Sequence, residues 1–354
     1  MSQTAKYHIA AMGTAYDALV MPGGLGALGS LLRERDFSGP IAIVTESNVG
    51  PLYAEHVAKS LREVGYETSI ITFPAGEAYK TMESIQLIWS GMLDGGLDRR
   101  STVVALGGGV TGDMAGFAAA TFMRGVRWVG VPTSLLAMVD ASLGGKTGID
   151  LPQGKNLVGA FHPPALVVAD PTVLASLPEA ELRSGLAEVV KHGIISDPGL
   201  FALCAAGLDS VKSDLAGIVS RAMAVKVDVI ETDPYERGIR AALNLGHTVG
   251  HAVELVSQFQ LRHGEAIAIG TVVEARLAER LGLAQGGLSE EIAVTLAELG
   301  LPTQIPPEFS REAIIAAMRV DKKKASGIIK FALPVKVGEV KVGVAVEDLG
   351  LVFE

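Results

Sequence analysis

Apolar and polar positions follow two different rhythms along this chain. In the first half, short β-branched runs alternate with longer stretches whose apolar residues recur at helical spacing: YDALVM, LGALGSLLRER, IAIVT, YAEHVAKSLREVG, TSIITF, MESIQLIWSGMLDGG, TVVALGGG, GDMAGFAAATFMRG and WVGVPT. Parallel strands need a crossover connection, so this alternation predicts βαβ units and a mostly parallel, doubly wound sheet. Beyond Asp170 the β runs nearly vanish, and ELRSGLAEVVKHGII, IVSRAMAVKVDVI and EIAVTLAELG carry helical periodicity instead. The pattern predicts an α/β N-terminal domain over residues 1–177 and a mainly α-helical C-terminal domain over 178–354. The division falls at Leu177-Pro-Glu179, where a proline followed by an acid suits a helix start. Near the end, GIIKFALPVKVGEVKVG is strand-like and is expected to pair as a small hairpin.

A chain of 354 residues exceeds what one hydrophobic core usually organises, which independently favours two domains. Its 49% hydrophobic and 19% charged residues exclude a disordered chain. The net charge of −9 argues against nucleic acid as a partner, which needs a basic footprint, so any anion site must be local. The start, MSQTAKYHIA, lacks the zones of a secretory signal, and no uncharged apolar run reaches membrane-spanning length. The expectation is a cytoplasmic protein with no membrane partner. Its one cysteine, Cys204, sits among apolar neighbours and reads as a core residue rather than a nucleophile.

Glycine loops are the first candidate chemistry. The dinucleotide fingerprint GxGxxG of Rossmann-like sheets occurs as Gly24-Leu-Gly-Ala-Leu-Gly29 and as Gly107-Gly-Gly-Val-Thr-Gly112. In a chain with 42 glycines, either match is also compatible with an ordinary strand-to-helix turn. The second is the better phosphate cradle, because successive glycines bare their N–H groups at a helix start, where the helix dipole favours an anion. The first loop then becomes a connection in the sheet. Glu46 ends the IAIVT run, where a carboxylate can accept from ribose hydroxyls, and it suits either loop.

Histidines are the second. LNLGHTVGHAVE, Leu243 to Glu254, sets His247 and His251 four residues apart, the spacing at which one helix face offers two imidazoles to a metal. His263 follows in LRHGE. A histidine on an apolar helix face is more often a satisfied core residue than a ligand. Glu188, with Lys191 one turn later, reads equally well as half of a buried helix salt bridge. The residues alone leave both readings open.

From Gly107 to Gly327 the sequence resembles the 3-dehydroquinate synthase family of sugar phosphate cyclases. The blocks that carry the resemblance are GGGVTGDMAGFAAATFMRG, VPTSLLAMVDASLGGKTGIDLPQGKNLVGAFHPP, SGLAEVVKHGIISD, LNLGHTVGHAVE, LRHGEAIAIG and DKKKASG. VTESNVGPLY and PAGEAYKTMES agree more loosely. The resemblance implies a homodimeric lyase of aromatic amino acid biosynthesis (the shikimate pathway) that uses NAD and one divalent metal, zinc or cobalt, on a small anionic sugar-acid phosphate. In the family, NAD oxidises a substrate hydroxyl, phosphate is eliminated, and the ketone is reduced again. Ring opening and an intramolecular aldol step then close the carbocycle, converting 3-deoxy-D-arabino-heptulosonate 7-phosphate to 3-dehydroquinate without net redox change.

Residue by residue, the resemblance implies Glu188, His247 and His263 as metal ligands, a set that leaves positions open for substrate oxygens. Such an ion acts as the Lewis acid that carbinol oxidation needs. For His251 it implies a place beside the substrate phosphate, against its helical pairing with His247, because an imidazole there can bind the leaving group or move a proton. Lys146, Asn156, Asn244 and one lysine of the run Lys322, Lys323 and Lys324 match the phosphate side, with Arg124 reaching across from a partner subunit. Lys226 and Arg240 match the carboxylate side, Lys191 the hydroxyl contacts, and Asp140 the nicotinamide end or adjacent substrate hydroxyls. For the cofactor, Gly108, Gly109 and Asp113 match the pyrophosphate loop, Thr133 and Ser134 a nearby turn, Glu46, Asn48, Glu77 and Lys80 the adenosine side, and Lys155 with Lys146 the nicotinamide region. Outside a matched block, each of these cations would read as solvated surface charge.

Three rivals stay open. A cyclase acting on a neutral sugar phosphate would share the NAD and metal chemistry without a carboxylate clamp. A metal-dependent polyol dehydrogenase would accumulate NADH. A non-catalytic NAD-binding or regulatory protein would keep the fold alone.

Overall fold

The computed structural model describes residues 4–322 and 328–353, without the side chains of 320–322. The chain divides into two compact units, Met1–Leu177 and Pro178–Glu354. The first contains strands β1 (Ala5–Ile9), β2 (Tyr16–Val20), β3 (Ile41–Glu46), β4 (Thr68–Phe73), β5 (Thr102–Gly107), β6 (Arg127–Pro132), β7 (Lys146–Leu151), β8 (Gly154–Phe161) and β9 (Leu166–Ala169). Its helices are α1 (Gly24–Arg33), α2 (Gly50–Glu63), α3 (Met82–Asp94) and α4 (Gly109–Thr121). Seven strands form one sheet in the order β1-β2-β9-β6-β5-β3-β4. Every pairing in it is parallel except β1 with β2, so the mostly parallel sheet that the alternation predicts is the one observed. β5 and β9 are buried along their whole length, which explains their continuous apolar runs: strands covered on both faces have no polar side to alternate with.

Periodicity does not reveal β1, β9 or the separate antiparallel hairpin β7–β8. β9 has only four residues. In the hairpin, Gly148 faces Gly159, and a Cβ on Gly159 would come within 2.0 Å of the Thr147 carbonyl oxygen. Backbone approach, rather than an apolar face, builds that ribbon, so it carries no hydrophobic signature.

One expectation is corrected. Gly24-Leu-Gly-Ala-Leu-Gly29 is not a connection in the sheet; it forms the opening turns of α1. A Cβ at Gly29 would lie 2.1 Å from the Ser60 carbonyl oxygen on α2, and one at Gly24 would lie 2.8 Å from Val168 on β9. These glycines serve packing, which leaves the 107–112 loop as the phosphate candidate.

The strand order reverses between β3 and β5: the chain runs outward from β3 to β4, returns to β5, and continues to β6 and β9. Loops leaving adjacent carboxyl ends at such a reversal diverge, and doubly wound sheets take their ligands in that crevice. Glu46 ends β3 and Gly107 ends β5, so the two sequence candidates flank the switch point.

The second unit contains helices α5 (Glu179–Ser196), α6 (Pro198–Ala205), α7 (Leu208–Ser213), α8 (Leu215–Thr232), α9 (His247–Val256), α10 (His263–Arg280), α11 (Leu288–Glu298) and α12 (Arg311–Lys322). The expected hairpin forms from β10 (Ile329–Lys336) and β11 (Glu339–Val346). Cys204 is buried in α6, and burial pushes its thiol up to about 12, which makes it inert. No helix among the described residues is long and apolar enough to cross a membrane.

Glycines set how closely these helices pack. A Cβ at Gly264 would lie 1.9 Å from the Ser184 carbonyl oxygen on α5, and one at Gly270 would lie 2.0 Å from the Gly246 carbonyl oxygen just before α9. Thus α10 lies backbone to backbone against α5 and the start of α9. Gly270→Ala is expected to lower the unfolding free energy by at least about 1–3 kcal/mol. Gly286→Ala, whose Cβ would meet nothing within 4 Å, is expected to stay within about 0.5 kcal/mol of the parent in the same urea titration.

Candidate active site

Glu188 lies in the middle of α5 and is fully buried. Lys191, three residues on and also buried, pairs with its Oε2 and donates to the Leu243 carbonyl at 2.9 Å. The salt bridge open in the sequence therefore exists, but it occupies one carboxylate oxygen only. The other, Oε1, is turned to the imidazoles, with Nε2 of His247 and Nε2 of His263 at 3.5 and 3.4 Å from it. His247 is the first residue of α9 and His263 the first of α10, so the two imidazoles enter from two helix starts.

The outward ring nitrogens decide what the inward ones can do. Nδ1 of His247 faces the Leu245 carbonyl at 3.0 Å, and Nδ1 of His263 faces the Glu254 carboxylate at 3.4 Å. Both partners are acceptors, so each Nδ1 carries a hydrogen; Nε2 of neutral His247 then offers a lone pair, and Nε2 of His263 offers one once a metal ion displaces its proton. Such a group needs a positive charge within it, either a proton on His263 or a metal ion in its place. Burial pulls the His263 pKa down, but its hydrogen bonds to Glu188 and Glu254 outweigh that and push it up to about 9. Burial and the Lys191 cation hold His247 well below the usual range and therefore neutral. Burial opposes the Glu188 charge, yet Lys191 and the two imidazoles keep it ionised, well below the usual carboxylate range. An anionic oxygen and two neutral-capable imidazoles fit a divalent first-row ion such as zinc or cobalt, with positions left for substrate oxygens.

The ligand atoms of Glu188, His247 and His263 all lie within 4.8 Å of one another. A second group, His251, Glu254 and His263, meets the same criterion and shares His263. His251 is exposed, with its ring centroid 5.1 Å from that of His247 and 5.9 Å from that of His263. Helical spacing therefore does bring His251 beside His247, but the fully buried carboxylate, Glu188, belongs to the other group.

Arg240 and Asn244 lie on a short 3₁₀ segment, Ile239–Asn244, and Lys226 lies on α8; Arg240 and Lys226 are buried. Asp233 organises the approach, accepting from the backbone N–H groups of Arg237 at 2.9 Å, Gly238 at 2.7 Å and Arg240 at 3.0 Å. The Arg240 guanidinium donates to the Pro234 carbonyl, and Asn244 donates to Glu236 at 3.2 Å. Asp233 and Glu254 were not legible as site residues from sequence. The Asp-Pro turn start at 233–234 was the available signal for the first, and the position three residues after His251 was the signal for the second.

In the first unit, Gly108 precedes α4 and its amide-rich loop ends β5, while Thr133 and Ser134 leave the neighbouring β6. Thr133 donates to the Gly107 carbonyl at 2.9 Å, which ties the two strand ends together. Glu46 accepts from the N–H groups of Asn48 at 2.6 Å and Val49 at 3.0 Å, so its carboxylate also shapes the turn before α2. Behind the loop, buried Lys80 bridges Asp113 at 2.7 Å and the Asn156 amide oxygen at 2.5 Å. Burial works against the Lys80 charge, but Asp113, with Glu77 and Asp150, raises its pKa above the usual lysine range. Lys155 stands 3.7 Å from Glu77, and Asp140 lies on the π-helical turn Ala137–Ala141.

The structure does not bring all the predicted partners together. Lys146 pairs across the hairpin with Phe161, at the end away from the Leu151–Gly154 turn, whereas Asn156 lies near that turn and engages Lys80. The expected phosphate-side neighbours Lys146 and Asn156 are thus separated along one ribbon. Arg124 is exposed after Met123, both at positive φ (51° and 68°). Lys323, Lys324 and the side chain of Lys322 lie outside the described residues.

Comparison with known proteins gives consistent matches. Residues 70–184 match the family model for the 3-dehydroquinate synthase N-terminal region, and residues 185–324 match that for its C-terminal region. The 3-dehydroquinate synthase of Synechococcus sp. is 45% identical over 93% of this chain and 92% of its own length. That of Symbiobacterium thermophilum is 46% identical over 92% of this chain and 93% of its own. Among solved structures, a 2-deoxy-scyllo-inosose synthase with carbaglucose-6-phosphate, NAD+ and Co2+ superposes with a TM-score of 0.87 at 27% identity, covering 97% of this chain and 96% of that one. The 2-epi-5-epi-valiolone synthase of Streptomyces hygroscopicus, with NAD+ and Zn2+, gives 0.84 at 29%, covering 96% and 94%.

The two overlapping groups make different predictions. His247→Ala and His263→Ala are each expected to weaken zinc or cobalt binding by more than about 100-fold, while His251→Ala keeps the ion, as read by metal content after gel filtration. Loss of metal in His251→Ala but not in His247→Ala would assign the ion to His251, Glu254 and His263 instead.

Proposed function

The chain belongs to the 3-dehydroquinate synthase family, and from that premise we infer that it converts 3-deoxy-D-arabino-heptulosonate 7-phosphate to 3-dehydroquinate and phosphate. The observation that carries the reading is the convergence of Glu188, His247 and His263 in a unit that also buries two cations, Lys226 and Arg240. A carboxylate-bearing substrate suits such a pair, because a lysine and an arginine together can hold a carboxylate through charge-assisted hydrogen bonds. Identity supports the same substrate: it is 41–46% with 3-dehydroquinate synthases and 27–29% with the two cyclases of other specificity. A glycerol dehydrogenase from Schizosaccharomyces pombe, 19% identical with a TM-score of 0.56, shares the fold alone.

When bound, NAD supplies a transient oxidation and a divalent ion polarises the substrate hydroxyl. Glu188, His247 and His263 hold the ion. Lys191, fixed by Glu188 and the Leu243 carbonyl, keeps an N–H for a substrate hydroxyl. Arg240, pinned through its own backbone by Asp233, meets the substrate carboxylate with Lys226. His251, exposed beside the two ligand imidazoles, moves a proton at its ring nitrogen or binds the phosphate as it leaves, with Asn244 near it in sequence. Lys146, Arg124 and a lysine of 322–324 supply the phosphate contacts, and Asn156 joins them only by leaving Lys80.

The loop at Gly108 and Gly109, with Glu46 across the switch point, holds the dinucleotide, supported by Asn48, Glu77, Lys80, Asp113, Thr133, Ser134, Asp140 and Lys155. The enzyme works as a cytoplasmic homodimer, with Arg124 presented to the partner subunit.

With the heptulosonate phosphate, catalytic NAD and zinc or cobalt, the protein is expected to release phosphate while NADH stays at its catalytic level. Steady NADH production would favour the dehydrogenase reading, and absence of phosphate release from metal-loaded protein would sink the assignment. Arg240→Ala is expected to lower kcat/KM on the order of 100-fold or more. Unchanged turnover in that variant would point to a neutral sugar phosphate.

A further inference from the structure

Both histidines of LNLGHTVGHAVE take their direction from the first turn of α9, so whatever fixes that turn fixes them. A helix start leaves bare N–H groups, which a Ser, Thr, Asp or Asn at the N-cap and a Glu at the third helical position usually satisfy. Here the N-cap is Gly246 and the third position is Val249, and neither has a side chain able to accept. Glu274, fully buried on α10, does both tasks from outside the helix. Its Oε2 accepts from the Gly246 N–H at 2.7 Å, and its Oε1 accepts from the Val249 N–H at 3.1 Å.

The neighbouring glycines make this reach possible. Gly246 has φ 78°, and a Cβ there would lie 2.3 Å from Thr271 Oγ1; Gly270, one turn before Glu274, has the Gly246 carbonyl in its own Cβ position. The anionic side chain therefore sits against the positive end of the α9 dipole, next in sequence to His247. Because α10 itself begins at His263, Glu274 also fixes α9 against the helix that supplies the other imidazole.

We propose that Glu274 is a positioning residue for the catalytic centre: its buried carboxylate, by capping α9 across the helix pair, sets His247 against His263 and aims His251. The proposal rests on the metal assignment above. A purely structural cap would affect folding stability alone, and the same helix carries the comparison. Glu279 accepts from the Ser289 N–H at 2.8 Å and from its hydroxyl at 2.9 Å, capping α11, which holds no proposed site residue.

Glu274→Gln keeps the shape but turns one acceptor into an NH2 facing a backbone N–H. The experiment compares Glu274→Gln with Glu279→Gln by cobalt titration, the visible absorption of the bound cobalt, thermal unfolding and kcat against KM. Glu274→Gln is expected to weaken cobalt binding on the order of tenfold, to change the cobalt spectrum and to lower kcat more than it raises KM. Glu279→Gln is expected to lower Tm with cobalt affinity and spectrum unchanged. Parental cobalt affinity, spectrum and kcat in Glu274→Gln overturn the proposal. A parent protein that takes up no cobalt overturns the metal assignment itself.

If Glu274→Gln does not fold, hydrogen exchange in the parent decides. Cobalt is expected to slow exchange in the 246–249 amides and not at Ser289, and equal behaviour of the two caps overturns the proposal.

Discussion

An ionised carboxylate sealed from water, Glu188, is the constraint on which the second unit depends. Burying such a charge is strongly unfavourable unless other groups replace its hydration. Lys191 answers for one oxygen from the same helix, but the other must be met from elsewhere, and the imidazoles arrive from the starts of α9 and α10. Convergence this tight requires helix backbones closer than side chains normally allow. The glycines at 246, 264 and 270 supply that closeness, since each has another segment's backbone or Thr271 where a Cβ would be. Electrostatic need and small-residue packing are thus two sides of one arrangement.

The doubly wound sheet was legible because its signal is local and redundant: β2 to β6 each pair an apolar run with a helical stretch that follows or precedes it. The glycine loop at 107–109 and Glu46 were legible for a related reason, as both sit at strand ends where chain reversal and ligand access coincide. The first glycine fingerprint misleads by the same logic. A glycine freed of its side chain serves close packing as readily as close approach to phosphate, and only the neighbours, Ser60 and Val168, tell the two apart.

The metal group was legible only through resemblance. Glu188 and Lys191 satisfy an i,i+3 salt-bridge pattern, and nothing in their spacing says that one oxygen stays open. His247 and His251 satisfy the two-histidine spacing, while the partner that completes the buried group, His263, stands on another helix. Long-range convergence leaves no periodic trace. The same holds for Glu254, Asp233 and Glu274, acids that act on backbone or ring N–H groups far from themselves in sequence or around a turn.

Carboxylates cap three helix starts in this unit, one from within its own helix and two from another helix. At the start of α9, Glu274 acts from another helix; at the start of α10, Glu265 turns back to the Arg262 N–H at 2.8 Å; at the start of α11, Glu279 reaches Ser289. A histidine at the first position of a helix feels the positive end of the dipole, which acts with burial and Lys191 to keep His247 neutral, whereas the Glu188 and Glu254 carboxylates outweigh it at His263. At the start of α9, where Gly246 and Val249 offer no side-chain acceptor, the cap must come from outside the helix. An acid on a crossing helix meets that demand without occupying the face on which the imidazoles converge, and this is why the unit's chemistry and its helix packing cannot be changed independently.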